Sequence, residues 1–363
     1  MSLTKRGSIA ALAAFSLAAT MALAACSGAT GSGPASGAAS GDSTAGGSSA
    51  AADPAMAEQT ITFIPKQLNN PYTDVVLGGG KKGAEEIGFA QANVVGPLEA
   101  SASSQVSFIN AETQAGTNVI VLAANDPDAV CPALEEARKG GAKIVTFDSD
   151  TNPKCRDLFI SQVVAKDVAK VQVQMISEQI GGEGDIAILS ATANATNQNE
   201  WIKYMEEELA SNPEYSKIKI VAKVYGDDDD TKSFQEAQGL MQANPNLKGI
   251  ISPTTVGIAA TARYLSTSEY KGKVALTGLG LPNEMRSFVK DGTVKEFALW
   301  DPAQLGYLAS YAGKALAAGR IEGKVGDTFA AGELGERTVE DGGIVIVGEP
   351  VRFNKDNIDK YDF

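Results

Sequence analysis

From position 59 onward, short apolar runs alternate with longer amphipathic stretches. The run Thr60-Ile61-Thr62-Phe63-Ile64 predicts a strand at 60–64. Asn70-Pro71 follows, a capping residue and then proline at the first helical position, and predicts a helix to about 87. Gly78-Gly79-Gly80 should weaken that helix. The same alternation predicts strands at 92–95, 119–122 and 143–147, with helices at 103–115 and 129–139. A second set begins with a helix at 166–180. Strands at 185–189, 218–224, 249–252, 273–277 and 294–300 alternate with helices at 198–210, 231–242, 256–265, 283–290 and 303–318. Continuous Val/Ile runs between helices indicate parallel sheets covered on both faces. Two successive βα sets predict an α/β protein of two doubly wound lobes joined by several crossing segments.

The segment before 59 has another pattern. A basic head, Lys5 and Arg6, precedes an apolar run over 9–23, then Ala24-Ala25-Cys26. Charge, apolar core and small residues in that order form a secretory signal. Leu23-Ala24-Ala25-Cys26 resembles a bacterial lipobox, which implies cleavage before Cys26 and acylation of that residue. Gly, Ser, Ala and Thr fill 27–51, a composition that buries nothing and stays flexible. The expectation is an exported protein, lipid-anchored to the outer face of the cell membrane. Its parts would be a signal at 1–25, a lipidated cysteine and linker at 26–58, one lobe from 59–161 plus 302–343, and another from 162–301 plus 344–363. About 300 residues remain after the linker, more than a single core usually holds.

Composition narrows the function. The formal charge of −13, two of whose positive charges lie in the signal, disfavours nucleic acid and anionic lipid headgroups as partners. No histidine is present, which removes the commonest general base and metal ligand. No Ser–His pair can exist, and Asp148 and Asp150, two apart on an extended segment, should point to opposite faces. An enzyme is therefore not expected, nor a cofactor. Cys131 and Cys155 lie in an exported chain, where disulfides persist. Either they are bridged, which would stabilise by about 3 kcal/mol, or they are two separate buried thiols; zinc finds no support in their spacing. The acidic run 227–230 lacks the alternating spacing of a calcium loop and is expected to be a solvated turn, with Asp230 capping the next helix.

Ligands of open α/β sheets bind beyond the carboxyl ends of the strands. The first lobe places Lys66, Asn69, Asn70, Asn125, Asp126, Asp148 and Asp150 there. The second places Asn194, Asn197, Gln198, Asn199, Asp227, Pro253, Thr254, Thr255, Asn283 and Asp301. This set is rich in amides and carboxylates, suited to a neutral polyol or sugar. A phosphate site would show a glycine-rich loop or an arginine cluster, and neither is present. Trp300 offers a flat ring for a sugar's C–H face.

These residues resemble the type I periplasmic sugar-binding proteins of ABC importers, the ribose-binding-like family. Leu68-Asn69-Asn70-Pro71-Tyr72 carries the likeness first. Phe63-Ile64-Pro65-Lys66, Cys131-Pro132-Ala133-Leu134, Phe147-Asp148-Ser149-Asp150, Asn197-Gln198-Asn199-Glu200-Trp201, the run 294–301 and Phe353-Asn354-Lys355-Asp356-Asn357-Ile358 resemble its rhamnose-binding and autoinducer-2-binding branch. The resemblance implies a monosaccharide between the lobes and docking on importer permease subunits. It also fits a Cys131–Cys155 pair; a monomer is expected. Lys66, Asp148, Gln198 and Pro253 match the autoinducer-2 pattern, whereas Asn197 stands where that pattern has Asp and Thr255 where it has Ala. The phrases at 251–257 and 278–282 look like the rhamnose-binding version. Rhamnose or a related deoxysugar is therefore the ligand expected from the resemblance. Autoinducer-2 capture and a sensor module docking on a receptor kinase are the alternatives.

Overall fold

The computed structural model describes residues 53–363, and the signal, Cys26 and most of the linker lie outside the described residues. In chain order the first half runs β1 (Thr60–Ile64), α1 (Pro71–Ile87), β2 (Gln91–Val94), α2 (Ala102–Ala115), β3 (Val119–Leu122), α3 (Cys131–Lys139), β4 (Lys143–Phe147) and β5 (Leu158–Ser161). The second half continues with α4 (Ala165–Ile180), β6 (Glu183–Ser190), α5 (Thr196–Ser211), β7 (Lys217–Tyr225), α6 (Asp230–Ala243), β8 (Leu247–Ser252), α7 (Thr255–Thr267), β9 (Ala275–Gly278), α8 (Pro282–Lys290) and β10 (Glu296–Leu299). Then come α9 (Pro302–Ala317), β11 (Thr328–Ala330), β12 (Glu336–Thr338), β13 (Ile344–Ile346) and β14 (Val351–Asn354). No helix among the described residues is long and apolar enough to cross a membrane.

The apolar runs become two sheets. One has six strands in the order β13-β5-β4-β3-β1-β2, all paired in parallel. The other has four, β7-β6-β8-β9, also parallel. Beside the second sheet, β10 pairs antiparallel with β14 and is bridged to Leu279. Every residue of β3 is buried, as expected for a central strand covered on both faces. Burying each such Val, Ile or Leu contributes about 1.5–3 kcal/mol to the lobe's core.

The chain crosses between the sheets after β5, after β10 and after β13. The third crossing differs from the expected boundary at 343. Ile344 pairs with Phe159 and Ile346 with Ser161, so β13 belongs to the first sheet and the chain crosses only after Val347. Three residues give no readable period; their long-range pairing fixes the strand.

Gly78-Gly79-Gly80 does not interrupt α1. At Gly79 an added Cβ would lie 1.9 Å from the carbonyl oxygen of Ala303, and at Gly306 one would lie 1.9 Å from that of Val76. These glycines let α1 and α9 pack backbone to backbone, which offsets the ~1 kcal/mol propensity cost of each. In the acidic run, Asp229 rather than Asp230 caps α6, accepting from the Lys232 amide at 2.7 Å. Cys131, at the start of α3, is bridged to Cys155.

Candidate functional site

A cavity of about 610 Å³, its open mouth included, lies between the two sheets. Its polar groups sit just beyond strand ends, where a parallel sheet leaves side chains and helix N-termini facing one crevice. Lys66 follows β1, Asp148 follows β4, Asn197 and Gln198 lie in the first turn of α5 after β6, and Pro253 follows β8. Trp300 follows β10.

Asp148 is the hub of the first-lobe half. Its backbone takes a left-handed φ of 58°, which aspartate tolerates better than most residues. Its Oδ1 accepts from Tyr72 OH at 3.2 Å and Gln162 Nε2 at 3.3 Å, and its Oδ2 pairs with Lys66 Nζ at 3.3 Å. Trp300 Nε1 donates to Tyr72 OH at 3.1 Å, so a relay from indole to phenol to carboxylate fixes the aromatic wall. Burial, reinforced by the Asp148 charge, raises the Tyr72 pKa well above the usual phenol value, which keeps the hydroxyl a donor. A carboxylate has about four acceptor sites, and these three partners leave one for a ligand. The Trp300 ring meets Tyr72 and Trp201 edge-on, with centroids 6.2 and 5.8 Å away.

The second lobe presents amides. Gln198 Oε1 accepts from Ser190 Oγ at 2.6 Å and from the Ala191 amide at 2.8 Å. Asn197 Oδ1 accepts from the Gln198 amide at 2.8 Å and from Lys66 Nζ at 3.4 Å. With both carbonyl oxygens engaged, the two NH2 groups make no hydrogen bond to any described residue and remain donors for a ligand. The Lys66–Asn197 contact crosses the cleft. So do Gln67 Nε2 to the Asp228 carbonyl at 3.3 Å, Thr196 Oγ1 to the Asp150 carbonyl at 3.3 Å, and Asn194 Nδ2 to Asp126 Oδ2 at 3.2 Å. The two lobes are in contact across the opening.

Of the expected site residues, Lys66, Asn70, Tyr72, Asp148, Asn197, Gln198, Pro253, Thr254, Thr255 and Trp300 line this cavity. Nine others lie outside it, Asn69, Asn125, Asn194 and Asp227 among them. Asp150 is held by Arg156, whose Nε donates to both carboxylate oxygens at 2.8 and 3.0 Å. Asp126 fixes its own turn through the Asp128 and Ala129 amides and meets Asn194 at the rim. Asn199 is exposed and donates to the Ala193 carbonyl. Asn283 is likewise exposed and holds the C-terminal tail through Asp362. Asp301 caps α9, accepting from the Ala303 amide at 2.9 Å. Strand-end position put Asp150, Asp126, Asn199, Asn283 and Asp301 near the crevice, but other hydrogen-bond partners took their side chains. Conversely, Gln67, Trp201 and Asp228 line the cavity without having been expected there. Asp228 is masked in the sequence by its three acidic neighbours.

The family model described as "Periplasmic binding protein domain" matches residues 61–321. Among solved structures, a sugar ABC transporter from Actinomyces odontolyticus ATCC 17982 is 73% identical, with 86% of this chain and 100% of that one covered at a TM-score of 0.71. An ABC transporter solute-binding protein from Clostridium phytofermentas with bound L-rhamnose is 36% identical, covering 84% of this chain and 98% of that one at a TM-score of 0.80. LsrB from Clostridium saccharobutylicum in complex with AI-2 is 28% identical, covering 84% and 100% at a TM-score of 0.78.

Proposed function

We infer the ligand from one premise: this chain belongs to the periplasmic binding protein family, as a type I, ribose-binding-like sugar solute-binding protein of an ABC importer. The family is not enzymatic. We propose that the captured sugar is rhamnose or a closely related deoxysugar, held between the lobes. The observation that carries this reading is the mixed character of the cavity. Asp148, Lys66, Asn197 and Gln198 supply acceptors and donors from both lobes, while Trp300, Trp201, Phe147, Val76 and Leu299 supply an apolar wall. A 6-deoxysugar needs both, because its hydroxyls want partners and its methyl group gains by leaving water. The similarity to the rhamnose-bound protein from Clostridium phytofermentas supports the same choice. Asn197 also favours it over autoinducer-2, since its neutral amide offers a donor where an aspartate would only accept.

Capture works by closure. A sugar touching both lobes adds its full set of hydrogen bonds only when they meet, so it shifts the population toward the closed form. The closed surface is then what importer permease subunits bind. Calorimetry should show L-rhamnose binding more tightly than autoinducer-2 does, and scattering on the same samples should show a smaller radius of gyration with sugar. Tight autoinducer-2 binding with none for rhamnose would overturn the ligand choice.

We further propose that Cys26 carries the membrane anchor, several acyl chains being needed for stable attachment. Cys26→Ser should abolish the acylated form and leave uncleaved precursor or released protein. Variant protein that is cleaved normally yet still sediments with membranes would refute the anchor.

A further inference from the structure

Asp228 enters the cavity from the loop after β7, on the lobe opposite Asp148. Its acidic neighbours are engaged elsewhere. Asp227 pairs with Lys232, Asp229 caps α6, and both Asp230 oxygens receive Arg263 at 2.8 Å. Two left-handed residues in succession, Asp227 at φ 55° and Asp228 at φ 52°, turn the chain so that Asp228 alone of the four faces the cavity.

Thr254 is buried at the N-terminus of α7, yet its side chain makes no capping bond there. Its hydroxyl donates instead to Asp228 Oδ1. That contact orients the carboxyl and leaves Oδ2 accepting from no described residue. The Asp228 carbonyl meanwhile accepts from Gln67 of the first lobe, so the residue reaches its position where the lobes touch. Burial raises the Asp228 pKa, Lys66 and the Thr254 hydroxyl oppose that shift, and Asp148 and Asp227 add to it. A carboxylate so poorly solvated gains from any hydroxyl that donates to it.

We infer that Asp228 is a specificity-determining acceptor: in the closed protein its free oxygen takes a hydrogen bond from a sugar hydroxyl other than the one Asp148 takes. The inference rests on the sugar-capture reading above and gives the neutral ligand one carboxylate from each lobe. Asparagine in place of Asp228 separates this from a structural role. The amide tolerates the left-handed backbone and can still accept from Thr254, but its other atom becomes a donor.

The test is calorimetry on wild type with L-rhamnose, D-ribose, D-arabinose and D-allose. The sugar held most tightly is then titrated into Asp228→Asn and Asp228→Ala. Both variants should bind it at least about tenfold more weakly, while the unliganded asparagine variant melts within about 2 °C of wild type. Asparagine binding within twofold of wild type overturns the inference, whether or not alanine loses affinity. If the tightest sugar is not rhamnose, the ligand choice fails while Asp228 is still tested on the sugar that binds. Wild-type binding of none of the four overturns both.

Discussion

Asp148→Ala will weaken sugar binding about ten- to a hundredfold while the protein stays folded. The buried carboxylate is the group on which the Tyr72 hydroxyl, the Gln162 amide and the Lys66 ammonium converge. Removing it unpairs these donors and strands the ligand hydroxyl it would accept. Hydrogen bonds to a charged acceptor are worth about 1.5–3 kcal/mol, which sets the size of the loss. Alanine at φ 58° adds roughly 1 kcal/mol of backbone strain, little against the total stability of a domain this size. Asp148→Asn should lie between, because it keeps the shape but turns an NH2 toward groups that themselves donate. Calorimetry with L-rhamnose, paired with thermal melting, reads both parts. Unchanged affinity in Asp148→Ala would remove the cavity as the binding site.

The second large effect concerns stability alone. Replacing Cys131 and Cys155 together with serine should lower the unfolding free energy by about 3 kcal/mol, because the bridge closes a loop with a sequence separation of 24. In a chain of this length that is a fall of several degrees in melting temperature. The bridge ties the first residue of α3 to the turn before β5, and α3 has no side-chain N-cap of its own. Sugar affinity should hardly move, since neither cysteine lines the cavity. Denaturant titration of oxidised, reduced and double-serine protein measures the difference. Equal midpoints for all three would show that the bridge contributes nothing.

The sequence made the central strands legible because each is a short run rich in Val, Ile and Phe between helices. The observed β1, β3 and β4 coincide with the expected ranges. What it hid was non-local. The three residues of β13 carry no period, and only their pairing with β5 assigns them to the first sheet. Gly79 and Gly306 look like helix weaknesses until the neighbouring helix backbone is in place. At the site, Asp148 and Lys66 stood out because they closely follow apolar strands, and Asn197 and Gln198 because they open the helix after one. Asp150 stood out equally, but six residues on lies Arg156, which claims it. Asp228 was hidden for the opposite reason. Four identical residues in a row read as solvent-exposed, and only two left-handed backbone angles turn one of them inward.

The tight seam between α1 and α9 bears on the order in which contacts form and break. α1 begins one residue before Tyr72, and α9 begins two residues after Trp300. Because the helices are locked backbone to backbone, the indole and phenol stay registered with Asp148 even though Trp300 follows a strand beside the second sheet. In the opening motion proposed above, Tyr72 and Asp148 therefore remain with the first lobe, while Trp201, Asn197, Gln198 and Asp228 swing away. A sugar arriving from solution meets a preassembled half-site first, and the second lobe acts afterwards as a clasp. Changes at Asp148 or Tyr72 should then slow arrival, whereas changes at Asn197 or Asp228 should shorten the bound lifetime.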